Sequence, residues 1–187
     1  MEEFRIDPTI AYDVVELPSR GIHYPSGKKS VKVAYLTAAD ENILASPNLI
    51  ATNTVVNELI NRKVLDHDLK FDDIVEEDRQ AILIFLRNTA FGSEYNMTIT
   101  DPKTNEQFNA VVDLSNVPIK EFNLVADANN EYPYYFEKSK VDVTFTFLTQ
   151  KQEDELQKIK DSWNGNGIAP IVTKKLEMMI KSIGGNR

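Results

Sequence analysis

The chain contains no cysteine. That absence removes disulfides, thiol nucleophiles, thiolate zinc sites and cysteine-ligated iron–sulfur clusters, and it fits a reducing compartment. Long apolar runs are also missing. The longest purely aliphatic and aromatic stretch, Ala81 to Leu86, has six residues, where a membrane-spanning helix needs roughly 20. The acidic opening MEEFRIDPTI lacks the basic-then-apolar pattern of a secretory signal. The sequon at Asn96-Met97-Thr98 is therefore expected to carry no glycan. Positive charge is scarce, with 21 Lys/Arg against 29 Asp/Glu and a net charge of −8. The deficit is uneven: residues 1–150 hold fourteen basic and twenty-four acidic side chains, a net −10, whereas residues 151–187 hold seven and five, a net +2. An acidic body repels phosphate backbones, so nucleic-acid binding is set aside.

What remains is ordinary for a folded protein. Hydrophobic residues make up 42% of 187, enough for one domain with a real core, or one domain with an appendage. Residues 1–12 carry no clear period, and residues 1–15 are expected to form an N-terminal arm. Residues 16–27, ELPSRGIHYPSG, are rich in turn formers. Val31 to Leu36 alternates as a strand, and Thr37 with Asp40 makes a capping-box start for a helix over Ala38 to Ala45. Apolar spacing predicts one helix within Leu49 to Leu65, capped at Asn53 or Thr54. Glu76, Glu77 and Asp78 suit a helix N-terminus, and AILIFLRNTAF then predicts a buried central helix stopped at Phe91-Gly92.

Glu94 to Thr100 and Gln107 to Leu114 alternate around the turn cluster DPKTNE and predict a hairpin. Tyr134 to Lys138 and Val141 to Leu148 predict a second strand pair. Thr149 with Gln152 caps a charged helix bearing Leu156, Ile159 and Trp163, NGNG breaks it, and a last amphipathic helix is expected over Ile171 to Ile183. The fold class is thus α+β: small antiparallel sheets or hairpins packed with a buried central helix, plus a C-terminal two-helix appendage. The expected division is an arm at 1–15, a body at 16–149 and a helical tail at 150–187.

The search for chemistry returns little. His67 lies between Asp66 and Asp68, a trio that could ligate a metal and would support a small metal-dependent enzyme. Consecutive residues in a polar connection read more simply as a helix start. His23 has no acidic or nucleophilic partner at a recognisable spacing. The GxG in Asn164-Gly165-Asn166-Gly167 follows no strand and reads as a linker, and Ser93 in FGSEY lacks the G-x-S-x-G frame. In the tail, Leu176, Met179, Ile180 and Ile183 form an apolar face that suits either packing on the body or docking a partner.

The ordered motifs resemble the baseplate hub subunit family of contractile-tailed (T-even type) bacteriophages. The resemblance rests on Leu17, Pro18, Ser19, Gly21, Tyr24 and Pro25; on Leu36, Thr37, Ala38, Glu41, Ile43, Leu44, Ser46 and Pro47; and on Asp78, Arg79, Ala81, Ile82, Leu83, Ile84, Leu86 and Arg87. It continues through Gly92, Glu94 and Tyr95 to Val112, Asp113, Leu114, Ser115, Pro118, Lys120 and Glu121. The match runs from about Glu16 to Glu121; residues 122–187 match nothing in the pattern. Many relatives of this type carry a CPxC zinc-knuckle turn in the hairpin. Here the place reads Asp101-Pro102-Lys103-Thr104, so no zinc is expected and Asp101 should bond local backbone instead.

The resemblance implies a non-enzymatic structural or assembly protein of the tail, built into the baseplate of the virion after synthesis in the host cytoplasm. Its partners would be other tail or hub proteins, the tape-measure protein among the candidates, with a homo-oligomer left open and no cofactor, nucleic acid or membrane span. A variant is a transient assembly chaperone. The implied docking residues are Leu17, Pro18, Ile22, Tyr24 and Pro25 in the turn-rich segment and Leu176, Met179, Ile180 and Ile183 in the tail. For Ile22 and Tyr24 the alternative stands beside it that both fold back on the body.

Overall fold

The computed structural model describes residues 9–24, 26–52, 54–120, 123–163 and 170–187. The chain forms two compact units: Met1–Pro18, Ser30–His67 and Arg79–Lys120 make the first, and Ser19–Lys29, Asp68–Asp78 and Glu121–Arg187 the second. The linker glycines at 164–167 lie outside the described residues.

In the first unit, β1 (Tyr12–Glu16) pairs antiparallel with β2 (Ser30–Ala34), from Tyr12 opposite Ala34 to Glu16 opposite Ser30. Residues 12–15 of the expected arm therefore belong to a ladder. Their side chains show no clean alternation because Tyr12, Asp13 and Val14 are all exposed and only Val15 is buried. Val31 and Val33 of β2 join Leu17, Ile43, Leu59, Ile60, Ile82 and Leu86 in the core.

α1 (Ala38–Leu44) starts at the expected capping box. Its Asp40 is buried and pairs with buried Lys63 at 2.5 Å. Burial opposes the charge on Asp40, but hydrogen bonds from Lys63 and Thr37 outweigh it and hold the carboxyl below its ordinary value. The helix expected within Leu49 to Leu65 is α3 (Val55–Lys63), with its N-cap at Thr54, one of the two positions read from the sequence, and a short helix that was not expected, α2 (Pro47–Ala51), precedes it. The Thr52 hydroxyl donates back to the Asn48 carbonyl at 2.9 Å and meets the Thr54 hydroxyl at 2.8 Å. Such side-chain bonding offers the backbone a local alternative to the helix.

α4 (Glu76–Phe91) carries the acidic first turn read from the sequence. Asp78, Ile82 and Leu86, four residues apart, are its fully buried line, while Phe91 is exposed. β3 (Glu94–Thr100) and β4 (Gln107–Asp113) form the expected hairpin as a two-stranded sheet. At its turn Asp101 accepts from the Lys103 amide at 2.7 Å, the local bonding expected of it, and Asn105 adopts φ +60°.

In the second unit, β5 (Tyr132–Phe136), β6 (Val141–Phe145) and β7 (Ile180–Ile183) form an antiparallel sheet in that order. α5 (Gln150–Asp161) begins at the Thr149–Gln152 capping box. α6 (Ile171–Met179) ends four residues earlier than periodicity suggested. Ile180–Ile183 turns into a strand because β6 offers an open edge: Val143 pairs with Ile183 and Phe145 with Ile180, with a register shift between Thr144 and Phe145. Sheet pairing here overrides a helical spacing that was equally present in the sequence. Gly184 and Gly185, at φ +56° and +80°, then turn the chain end. Arg187 sits against the buried carboxylate of Glu131 at 3.2 Å.

Candidate functional site

The Pro/Gly-rich segment is organised around one carboxylate. Asp78 belongs to the first turn of α4 and is fully buried. Its Oδ1 accepts the Ser19 amide at 2.8 Å, and its Oδ2 accepts both the Ser19 hydroxyl and the Tyr24 hydroxyl at 2.6 Å. The Tyr24 oxygen in turn accepts the Val75 amide at 3.3 Å. Burial, followed by the hydrogen bond to Asp78, pushes the Tyr24 hydroxyl well above the ordinary tyrosine range. It stays protonated and donates.

Backbone turns complete the loop: Ile22 N–H reaches Ser19 O at 3.2 Å, Tyr24 N–H reaches Gly21 O at 3.2 Å, and Gly27 N–H reaches Tyr24 O at 2.8 Å. Gly21 sits at φ +78°, and a Cβ there would lie 2.5 Å from the carbonyl carbon and oxygen of Gly27. No other residue type fits without moving backbone.

Beside the exposed Ile22, His23 is drawn inward. Its side chain is almost wholly buried, with Nε2 at 3.3 Å from Glu77 Oε1 and Nδ1 at 2.9 Å from the Tyr132 hydroxyl. Its ring lies 4.6 Å from that of Phe147. The contact with His23, opposed by burial, holds the Glu77 carboxyl below its ordinary value. Beside these groups is a cleft of about 500 Å³ lined by His23, Asp73, Tyr132, Phe147, Lys151 and Glu155, among others.

A Tyr–His–carboxylate chain has the order of a nucleophile, base and orienter. Tyr132 is 1% exposed, and burial raises its pKa above the ordinary tyrosine value, so its hydroxyl is held neutral beside the imidazole. The chain of bonds fixes His23 between the loop and β5.

The expected docking residues are distributed as follows. Leu17 and Tyr24 are buried, Pro18 is half-buried, Ile22 is exposed, and Pro25 lies outside the described residues. Leu176 and Ile183 are exposed, while Met179 and Ile180 are half-buried. The Asp-His-Asp trio does not converge on one point. Asp66 accepts the Lys32 amide, Asp68 pairs with Lys28, and among the described residues no group of three His, Asp or Glu side chains could hold a metal ion. Among the described residues no helix is long and apolar enough to cross a membrane.

Two features escaped sequence reasoning. Asp78 was read only as a helix-start charge, since nothing in a linear sequence marks which acidic residue of a cluster turns inward. The exposure of the apolar side of β3–β4 was not anticipated: the alternation predicted a hairpin, and Tyr95, Met97, Phe108 and Val112 are all exposed. The alternation of EYNMTIT and QFNAVVD was the available signal, and it carries no information about what covers it.

A family model described as T4 bacteriophage base plate protein matches residues 19–184. No curated protein and no solved structure matches the chain.

Proposed function

The chain belongs to the T4 bacteriophage base plate protein family, and we propose that within the baseplate it is a subunit of the central hub, acting through protein–protein association. The base plate family makes it a structural component of a phage tail. The hub assignment is carried by the ordered motif set from Leu17 to Glu121, of which Ser19 onward lies inside the matched span.

The proposed association surface combines Ile22, presented by a loop that Asp78 and Gly21 hold rigid, with Leu176, Met179, Ile180 and Ile183. Leu17, Pro18 and Tyr24 give the loop its shape. A pre-ordered loop loses little conformational entropy on docking, so an exposed apolar side chain at its tip contributes more of its burial to affinity. The partners are other tail or hub proteins, the tape-measure protein among them, met during assembly in the host cytoplasm.

Quantitative mass spectrometry of purified particles and of isolated tail-assembly intermediates tests the reading. Stoichiometric presence in both is expected of a permanent hub subunit. Presence only in intermediates would replace it with a transient assembly chaperone, for which exposed apolar surface also speaks. Absence from both would overturn the hub proposal.

A further inference from the structure

Residues 171–183 satisfy two structures at once. Val172, Leu176, Met179, Ile180 and Ile183 recur at the spacing of one face of a single helix. The stop signal for that helix, Gly184-Gly185, follows Ile183 directly. Gly184 already holds φ +56°, close to the left-handed value of about +57° that a residue just past a helix C-terminus adopts. Yet α6 ends at Met179, and the residue beyond it, Ile180, is extended at φ −74° and ψ 128°. The helix halts one turn short of its own stop signal, and the missing turn is β7.

The ladder that captures this turn is thin. Ile183 pairs with Val143, Ser182 with Thr144 and Ile180 with Phe145, and the register slips between Thr144 and Phe145. No residue of β7 is fully buried, and Ile183 is exposed. A polar cluster supplies what burial does not. The Ser182 and Thr144 hydroxyls lie 2.7 Å apart, and the Thr144 hydroxyl donates to Glu131 Oε2 at 2.7 Å. The Arg187 guanidinium sets its two terminal nitrogens against the same carboxylate at 3.2 and 3.3 Å. Glu131 is only 6% exposed, and a buried carboxylate that loses its cation is costly.

We propose that Ile180–Ile183 is a two-state segment: a strand on the edge of β6 while Arg187 holds Glu131, and the last turn of α6 when that latch opens. The inference concerns this chain alone and stands whether or not the protein is a hub subunit.

Geometry makes the two states exclusive. Four residues advance about 13 Å as a strand and about 6 Å as a helix, so the helical form draws Gly184 and the residues after it back by roughly 7 Å. The contact of Arg187 with Glu131 does not survive that retraction. Backbone bonds exchange partners in the same step. The Met179 carbonyl now accepts the Thr146 amide at 2.9 Å, and the Gly184 amide donates to the Asp142 carbonyl at 2.8 Å. In the helical form the Met179 carbonyl takes the Ile183 amide, and the Gly184 amide turns back to Ile180. Release bares the β6 edge and joins Ile180 and Ile183 to Val172, Leu176 and Met179 in one apolar stripe. The uncovered Glu131 opposes release, whereas the recovered helical bonds and the glycine cap favour it, so one ion pair tips the balance.

The test uses the full chain in solution and reads residues 180–183 by carbon-13 secondary shifts and the Thr146 amide by hydrogen exchange. Ser182→Ala with Arg187→Gln removes the hydroxyl contact and the guanidinium, and alanine favours the helix. The expected result is a move of the 180–183 shifts from strand to helical values. Thr146 exchange should rise at least tenfold, with the amides between β5 and β6 unchanged. The chain has no cysteine, so Val143→Cys with Ile183→Cys, at directly opposed positions, gives a clean lock. Added to the double variant and oxidised, it should return the shifts to strand values, and reduction should restore the helix.

Three outcomes would overturn the proposal. Strand shifts that persist in the double variant would show a segment with one state. Random-coil shifts would show a strand that frays without refolding. Equal acceleration of Thr146 and of the β5–β6 amides would make β7 an inseparable part of the sheet.

Discussion

The loop at 17–27 and the hairpin at 94–113 answer to opposite rules. The loop has the composition of a displayed segment, with two prolines, two glycines and two serines across 16–27, yet it turns its tyrosine, its first serine and its histidine inward around Asp78 and Glu77. The hairpin has the alternation of a strand pair that covers a core, yet leaves five large apolar side chains in solvent. Turn-forming residues report backbone curvature and alternation reports a face. Neither reports which way that face looks. The loop is costly to disturb and cheap to display one residue from; the hairpin is the reverse.

The largest expected break of this contrast is Asp78→Ala. It leaves the Ser19 amide, the Ser19 hydroxyl and the Tyr24 hydroxyl without their buried acceptor, at about 1–3 kcal/mol for each unsatisfied group and about 3–5 kcal/mol together because the losses overlap. Urea unfolding measures it, and a loss under about 1 kcal/mol would show that the loop does not depend on this carboxylate. Gly21→Ala follows at about 2–4 kcal/mol, since it combines a positive φ with a clash against the Gly27 carbonyl. The same curves measure this, and a neutral result would mean the loop can shift to make room.

His23→Gln should change the pH dependence rather than abolish folding. Glu77 is held below its ordinary 4.5, first by His23. A depressed carboxyl contributes stability that is present above the unfolded value and is lost as pH falls through the folded one. The wild-type chain should therefore lose stability below about pH 4.5 more steeply than the variant. Urea midpoints at pH 7, 5 and 3 would show it, and parallel profiles would rule the pair out as the source.

At the small end, Phe108→Ser should change stability by no more than about 0.5 kcal/mol, as an exposed side chain does. A thermal melt measures it. A large fall in melting temperature would place Phe108 in the core and erase the contrast with the loop.

Much of the architecture was legible. The capping boxes at Thr37 and Thr149 and the acidic start of α4 name their helices through local bonding, and the Asp101 turn is equally local. The start of α3 after Thr54 was legible as a cap, whereas the short α2 before it was not, since five residues are too few to show a period. Tyr12–Glu16 was missed because only one of its five residues is buried, so pairing with β2 and not a hydrophobic pattern makes it a strand. In the candidate site, the loop's glycines and anchors could be read, but not the carboxylate they fold around, 59 residues away from Ser19.

By itself the sequence determined the α+β class, the local starts and stops of most elements, the exclusion of thiol chemistry and the motif order that places the chain among phage baseplate proteins. Each of these rests on neighbours within a few residues or on composition. Only tertiary structure decided that Asp78 and not its acidic neighbours would be buried, that Ile180–Ile183 would leave the helix for the edge of β6, and that the apolar face of β3–β4 would remain uncovered. Those outcomes depend on which surfaces compete for burial once the chain is compact, and that competition is settled between residues far apart in sequence.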